Sequence, residues 1–269
     1  MTSLQNYIGT KKANGEKIVS IYLTAGYPTL DATLPLLETI ADAGADLIEL
    51  GIPFSDPLAD GPTIQEASQI ALKNGISMSK ILEILKDFKK NSDVPVILMG
   101  YANPFMQFGW EKLFAAAAEN GGSGFIIPDL PPEESEDIQK SLQKNGLDLV
   151  FLAAPNTPEK RLSQISELTT SFIYAVSITG VTGAREKLPE ETIEFLQQLR
   201  QKSAQAVLVG FGISGPESAQ AMSRYSDGVI IGSAIIKCIA NESDFENGRK
   251  AVFEFVSGIK EALVGANEE

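Results

Sequence analysis

Short runs of β-branched and other apolar residues alternate along the chain with longer stretches whose apolar positions recur at helical spacing. Strands are predicted over 18–24, 46–51, 94–101, 124–129, 148–153, 172–177, 206–212 and 227–232. Helical patterns lie near 31–43, 62–74, 77–90, 110–120, 132–145, 158–169, 189–202 and 214–225. A last one, over 244–264, carries Ala251, Val252, Phe255, Val256 and Ile259 at helical spacing. Strict strand–helix alternation implies a parallel sheet. Eight such units, with an extra N-terminal helix, fit a closed (β/α)8 TIM barrel better than an open doubly wound sheet. No linker, low-complexity tract or shift of composition interrupts the series, so residues 1–269 read as a single barrel domain.

Composition narrows the chemistry. The chain has 269 residues, 43% hydrophobic and 21% charged, enough to bury a large core without staples. Cys238 is the single cysteine, which excludes an internal disulfide and a cysteine zinc site; it reads as a small apolar residue on a helix. Twenty-two basic against 35 acidic residues leave a net charge of -13, which argues against nucleic acid or an anionic membrane as partner. A small phosphorylated ligand stays open, because a few backbone amides can bind phosphate locally. The first 17 residues do not read as a secretory signal, and the longest apolar runs, such as 229–236, are far short of a membrane span. A cytoplasmic location is therefore expected. The chain has no histidine, so serine–histidine triads and histidine metal sites are excluded. Any acid or base acting near neutral pH must be a shifted carboxylate, Lys, Tyr or Cys238.

The second strand supplies such a carboxylate. Alternation puts Leu47, Glu49 and Gly51 on one face and Ile48 and Leu50 on the other. With the aliphatic pair against the helices, Glu49 points into the barrel near the strand's C-terminal end, where barrel active sites lie. Partial desolvation there raises a carboxyl pKa toward the useful range. The next loop holds Asp56, Asp60 and prolines that stiffen it; Asp60 either caps the helix opening near Pro62 or joins the chemistry. At the far side, Gly210 and Gly212 follow the seventh strand and Gly232 and Ser233 follow the eighth, with Gly180 and Gly183 in the sixth loop. Such loops bind phosphate in many barrels, and Ser233 can cap the helix it opens while free amides favour an anion. The match of residues 210–215 to GxGxxG is weak evidence for a dinucleotide: it follows the seventh strand, and no ribose-binding acid sits at the required distance.

The segments LIELGIPFSDPLADGP (47–62), MGYANP (99–104), PDLPPEES (128–135), YAVSITGVTG (174–183) and IIGSAIIK (230–237) resemble the tryptophan synthase alpha chain family, in order and over essentially the whole chain. The resemblance implies a (β/α)8 lyase that cleaves indole-3-glycerol phosphate to indole and glyceraldehyde 3-phosphate without metal or organic cofactor. It implies Glu49 as the proton shuttle and Asp60 as the carboxylate that stabilises positive charge on the indole nitrogen. It places Tyr22, Tyr174, Thr182, Gly183, Phe211, Gly212, Gly232 and Ser233 around the substrate, with Thr182 on the loop 179–188 that closes over the site. Tyr22 departs from the family, many of whose members carry Phe there. The implied partner is a beta chain bearing pyridoxal phosphate, in an α2β2 complex, met by loops containing Pro53, Asp56, Pro57, Asn103, Phe108, Asp129 and Pro131. Two other readings remain: a catalytically silent homologue that only binds and activates a beta chain, and a sugar-phosphate isomerase on the same barrel.

Overall fold

The computed structural model describes residues 3–176, 189–210 and 212–265. Its strands are β1 (Ile18–Thr24), β2 (Leu47–Gly51), β3 (Val96–Met99), β4 (Gly124–Ile126), β5 (Asp148–Val150), β6 (Leu152–Ala153), β7 (Phe172–Val176), β8 (Ala206–Gly210) and β9 (Gly228–Ile231). They pair in parallel in the order β5-β4-β3-β2-β1-β9-β8-β7-β6. The two ends of that row are pieces of one strand interrupted at Phe151, so the sheet closes into the (β/α)8 barrel. Tyr174 N donates to the Phe151 carbonyl at 3.0 Å, bridging the interruption.

Alternation decides what each face does. Ile18, Leu47, Ile97, Ile126, Val150, Phe172, Leu208 and Ile230 form one buried cluster inside the barrel. Ile48, Leu50, Leu98, Phe125 and Leu149 belong to the larger cluster between the sheet and the surrounding helices. The helix Ser3–Ala13 puts Leu4 and Ile8 into the interior cluster and so plugs the barrel's N-terminal mouth. Two buried carboxylates anchor it there. Asp46 accepts from Val19 N at 2.9 Å and pairs with Lys11, at 2.9 Å, and Lys260. Asp227 accepts from Val207 N at 2.9 Å and pairs with Arg200 at 3.2 Å and, more loosely, with Lys12. Each carboxylate thus ties a strand start to the last turn of the plug. Asp46→Asn keeps the shape but removes the negative charge that pairs with Lys11 and Lys260; urea unfolding of the chain is expected to show a loss of about 2 kcal/mol.

The predicted elements recur with trimmed ends. β4 stops before Pro128, and two predicted helices open with short 3-10 turns, Leu30–Ala32 and Pro132–Glu134. One helix, Ala102–Phe108, is absent from the hydrophobic pattern. Pro104 argues for a loop, yet it lies in the first turn, where the helix needs no donor from it. The Ala102 amide at its start is capped from elsewhere, by Asp129 Oδ1 at 2.9 Å. No described helix is long and apolar enough to cross a membrane.

Candidate active site

β2 delivers Glu49 into the barrel, beside Tyr22 in the β1–β2 register. Glu49 is wholly buried. Ser20 Oγ donates to its Oε1 at 2.7 Å, and Oε2 has no hydrogen-bond partner among the described residues. Burial raises the carboxyl from 4.5 to about 7, the Ser20 hydrogen bond pulling the other way. The carboxyl therefore changes protonation near neutral pH, as a group that both gives and takes protons must.

Asp60 sits on the loop after β2 and does not cap the following helix, whose cap is Gly61. Its carboxylate instead accepts a hydrogen bond from Tyr101, whose hydroxyl in turn accepts from Ala59 N at 2.9 Å. Gln65 Nε2 donates to the Asp60 carbonyl at 2.8 Å and fixes the loop from the helix side. Burial raises Asp60 from 3.8 to about 6, with the Tyr101 hydrogen bond opposing the rise. Tyr22 and Tyr174 are held protonated, chiefly by burial and then by the carboxylates: Asp60 weighs on Tyr22, and both Glu49 and Asp60 weigh on Tyr174. The electrostatics thus gather Glu49, Asp60, Tyr22 and Tyr174 around one space at the C-terminal end of the barrel.

Glycines make room for those rings. A Cβ on Gly51 would land on the Tyr22 hydroxyl and ring, and one on Gly210 would meet the Tyr174 ring at 2.8 Å. Gly51→Ala is accordingly expected to cost about 2 kcal/mol of stability through overpacking, read as a lower urea midpoint with an unchanged slope.

Across the mouth, β9 runs into the helix Ser233–Ala240. Ser233 is not its cap, as the sequence suggested; Gly232 is, and Ser233 is the first helical residue. The Ser233 and Ala234 amides therefore head the helix with no intrahelical acceptor, aimed where an anion can bind. Gly212 has a positive φ of 62°, which lets the backbone turn sharply after β8. Thr182, Gly183 and Phe211, together with the loop 179–188, lie outside the described residues.

The loops expected to meet a partner cluster at the same end. Asp56, Asn103 and Asp129 are exposed, Phe108 and Pro131 half-buried, and Pro53 and Pro57 buried. Pro53 and Phe108 line a shared cleft of about 300 Å³ with Ile52, Met78, Ile81 and Pro104. Two residues that sequence reasoning did not single out hold this site together. Tyr101 links the Asp60 loop to the helix Ala102–Phe108, and Ser20 binds Glu49. The signal for Ser20 was available, a polar residue two places before Tyr22 on the inward face of β1. Tyr101 lies in the MGYANP segment but shows its link to Asp60 only in three dimensions.

The model of the tryptophan synthase alpha chain family matches residues 8–264. The chain belongs to the tryptophan synthase alpha chain family. A family member from Carboxydothermus hydrogenoformans is 42% identical over 257 residues, 96% of each chain. One from Geobacter sulfurreducens is 40% identical over 98% of this chain and 99% of its own. The crystal structure of tryptophan synthase subunit alpha from Legionella pneumophila superposes with a TM-score of 0.91 at 35% identity, covering 98% of this chain and 99% of that one. A chain from the structure of the tryptophan synthase α2β2 complex of Pyrococcus furiosus superposes with a TM-score of 0.84 at 38% identity, covering 91% and 97%. The tryptophan synthase alpha fold is thus present over nearly the full length, with Glu49 at its mouth.

Proposed function

We propose that this chain cleaves indole-3-glycerol phosphate by a retro-aldol reaction and does so as the alpha subunit of an α2β2 complex. The observation that carries the reading is Glu49: a buried carboxyl at the barrel mouth, titrating near 7, with one oxygen held and the other unpartnered among the described residues. Cleavage requires a proton added at C3 of the indole and a proton removed from the glycerol hydroxyl, so that the carbon–carbon bond breaks to leave indole and an aldehyde. A group poised between its two protonation states can serve both transfers in turn. Asp60, ionised above about pH 6, stabilises the positive charge that C3 protonation places on the indole nitrogen. Tyr22 and Tyr174 wall the ring, and Gly212, Gly232 and the amides heading the helix at Ser233 hold the phosphate. Gly183, Thr182 and Phe211 are expected to complete that enclosure.

Every proton in this scheme moves through side chains, so no cofactor is assigned to this chain; pyridoxal phosphate is expected on the beta chain. Support for docking at the catalytic face comes from two exposed apolar side chains, Leu58 on the loop that carries Pro53, Asp56 and Pro57, and Met106 on the helix that carries Asn103 and Phe108. Asp129 braces this surface by capping the helix that displays Asn103. The test supplies purified chain with indole-3-glycerol phosphate, with and without a tryptophan synthase beta chain, and measures indole. Release by the chain alone, faster with the beta chain, is expected. Absence of indole under both conditions contradicts the proposal, whether the chain then stimulates the beta chain as a silent homologue or isomerises its substrate.

A further inference from the structure

Ser20 is a hydroxyl set into an apolar interior. It is fully buried on β1, and its partners across the ladder are Leu47 on β2 and Ile230 on β9. A buried hydroxyl is unfavourable there unless it is hydrogen-bonded, and an aliphatic side chain would pack the layer without that cost. The bond it makes is to the acid–base carboxyl, Oγ to Glu49 Oε1 at 2.7 Å, while Glu49 Oε2 is buried without a partner among the described residues.

We propose that Ser20 is a positioning residue of the acid–base cycle, holding Glu49 by Oε1 so that Oε2 is the oxygen that takes and gives the proton. The reason is chemical. An oxygen already accepting a hydrogen bond is the weaker base of the two, so a proton captured by the carboxylate goes to the other. With Oε2 protonated, Oε1 is the carbonyl oxygen and still accepts from Ser20. The same hydrogen bond therefore survives both protonation states, and the carboxyl cycles without turning. Among the described residues, the titratable groups facing Glu49 are Tyr22 on β1, Tyr174 on β7 and, through those tyrosines, Asp60 on the loop after β2; both tyrosines stay protonated. What remains to balance the effect of burial on Glu49 is the Ser20 hydrogen bond.

The inference rests on Glu49 being the proton shuttle, and the test separates the two. Full-length Ser20→Ala, Ser20→Thr and Glu49→Gln are compared with the unaltered chain in indole release and in a carbon-13 NMR titration of labelled glutamate carboxyls, with Glu49→Gln assigning the Glu49 signal. Ser20→Ala is expected to lower kcat about tenfold while leaving KM within about twofold. The Glu49 titration and the matching limb of kcat/KM are expected to move up by about one pH unit. Ser20→Thr, which restores the hydroxyl, is expected to restore both. An Ala variant whose Glu49 titrates as before overturns the proposal, whatever its activity, because the NMR titration requires no turnover. If Glu49→Gln is inactive and Ser20→Ala behaves like the unaltered chain, only the role of Ser20 falls. If Glu49→Gln cleaves normally, the shuttle assignment itself falls.

Discussion

Glu49→Gln is expected to lower kcat for indole release by about three orders of magnitude and, at the same time, to make the chain more stable above neutral pH. The first effect follows from removing the group proposed to carry both protons while keeping its shape; positioned acid–base groups contribute about 10²–10⁴-fold. The second follows from linkage. The folded chain holds the Glu49 proton up to about pH 7, whereas the unfolded chain releases it near 4.5. Between those values the folded state binds more protons, so stability is lost as pH rises through the window. Gln has no such dependence. Urea unfolding at pH 8 is expected to favour the variant by on the order of 3 kcal/mol, with the gap shrinking toward zero near pH 4.5. Loss of activity with gain of stability separates a catalytic carboxylate from a structural one, whose removal would cost both.

Asp60→Asn is expected to give the next largest effect, a fall of about 10²–10³-fold in kcat with a small change in KM. The amide still accepts from Tyr101, so the loop keeps its shape, but the charge proposed to stabilise the indole nitrogen is gone. The unaltered chain should lose activity on acidification as Asp60 is protonated near pH 6, and the Asn variant should lack that limb. Steady-state indole release across pH 5–9 measures both. A variant with an unchanged acid limb would reassign the limb to another group.

Much of this site was legible in the sequence because it depends on period-two alternation. The pattern Leu47-Ile-Glu-Leu-Gly51 sends Glu49 inward whatever the neighbouring strands do, and β1 and β2 lie where that pattern places them, within a residue. The absence of histidine left a carboxylate as the natural acid–base group. What was not legible depends on long-range geometry. Local pattern left Asp60 between cap and site carboxylate until the family resemblance favoured the second, and its link to Tyr101, some 40 residues away, shows only in three dimensions. The helix Ala102–Phe108 was hidden because its first turn contains Pro104 and its cap comes from Asp129 on another loop. The inward face of Ser20 follows from the same alternation, but its partner does not; only the pairing of β1 with β2 sets it within reach of Glu49. The residues that hold the carboxylates were thus harder to read than the carboxylates themselves, because local pattern places a side chain on a face and does not name its partner.

The most direct measurement of the central claim is the pH dependence of kcat/KM for indole release, set beside a titration of the Glu49 carboxyl in the free chain. A carboxyl that titrates close to pH 7, coincident with a limb of the activity profile that Glu49→Gln abolishes, is the result expected. A Glu49 that titrates in the ordinary range near 4.5, with an activity limb near 7 belonging to some other group, would contradict the account.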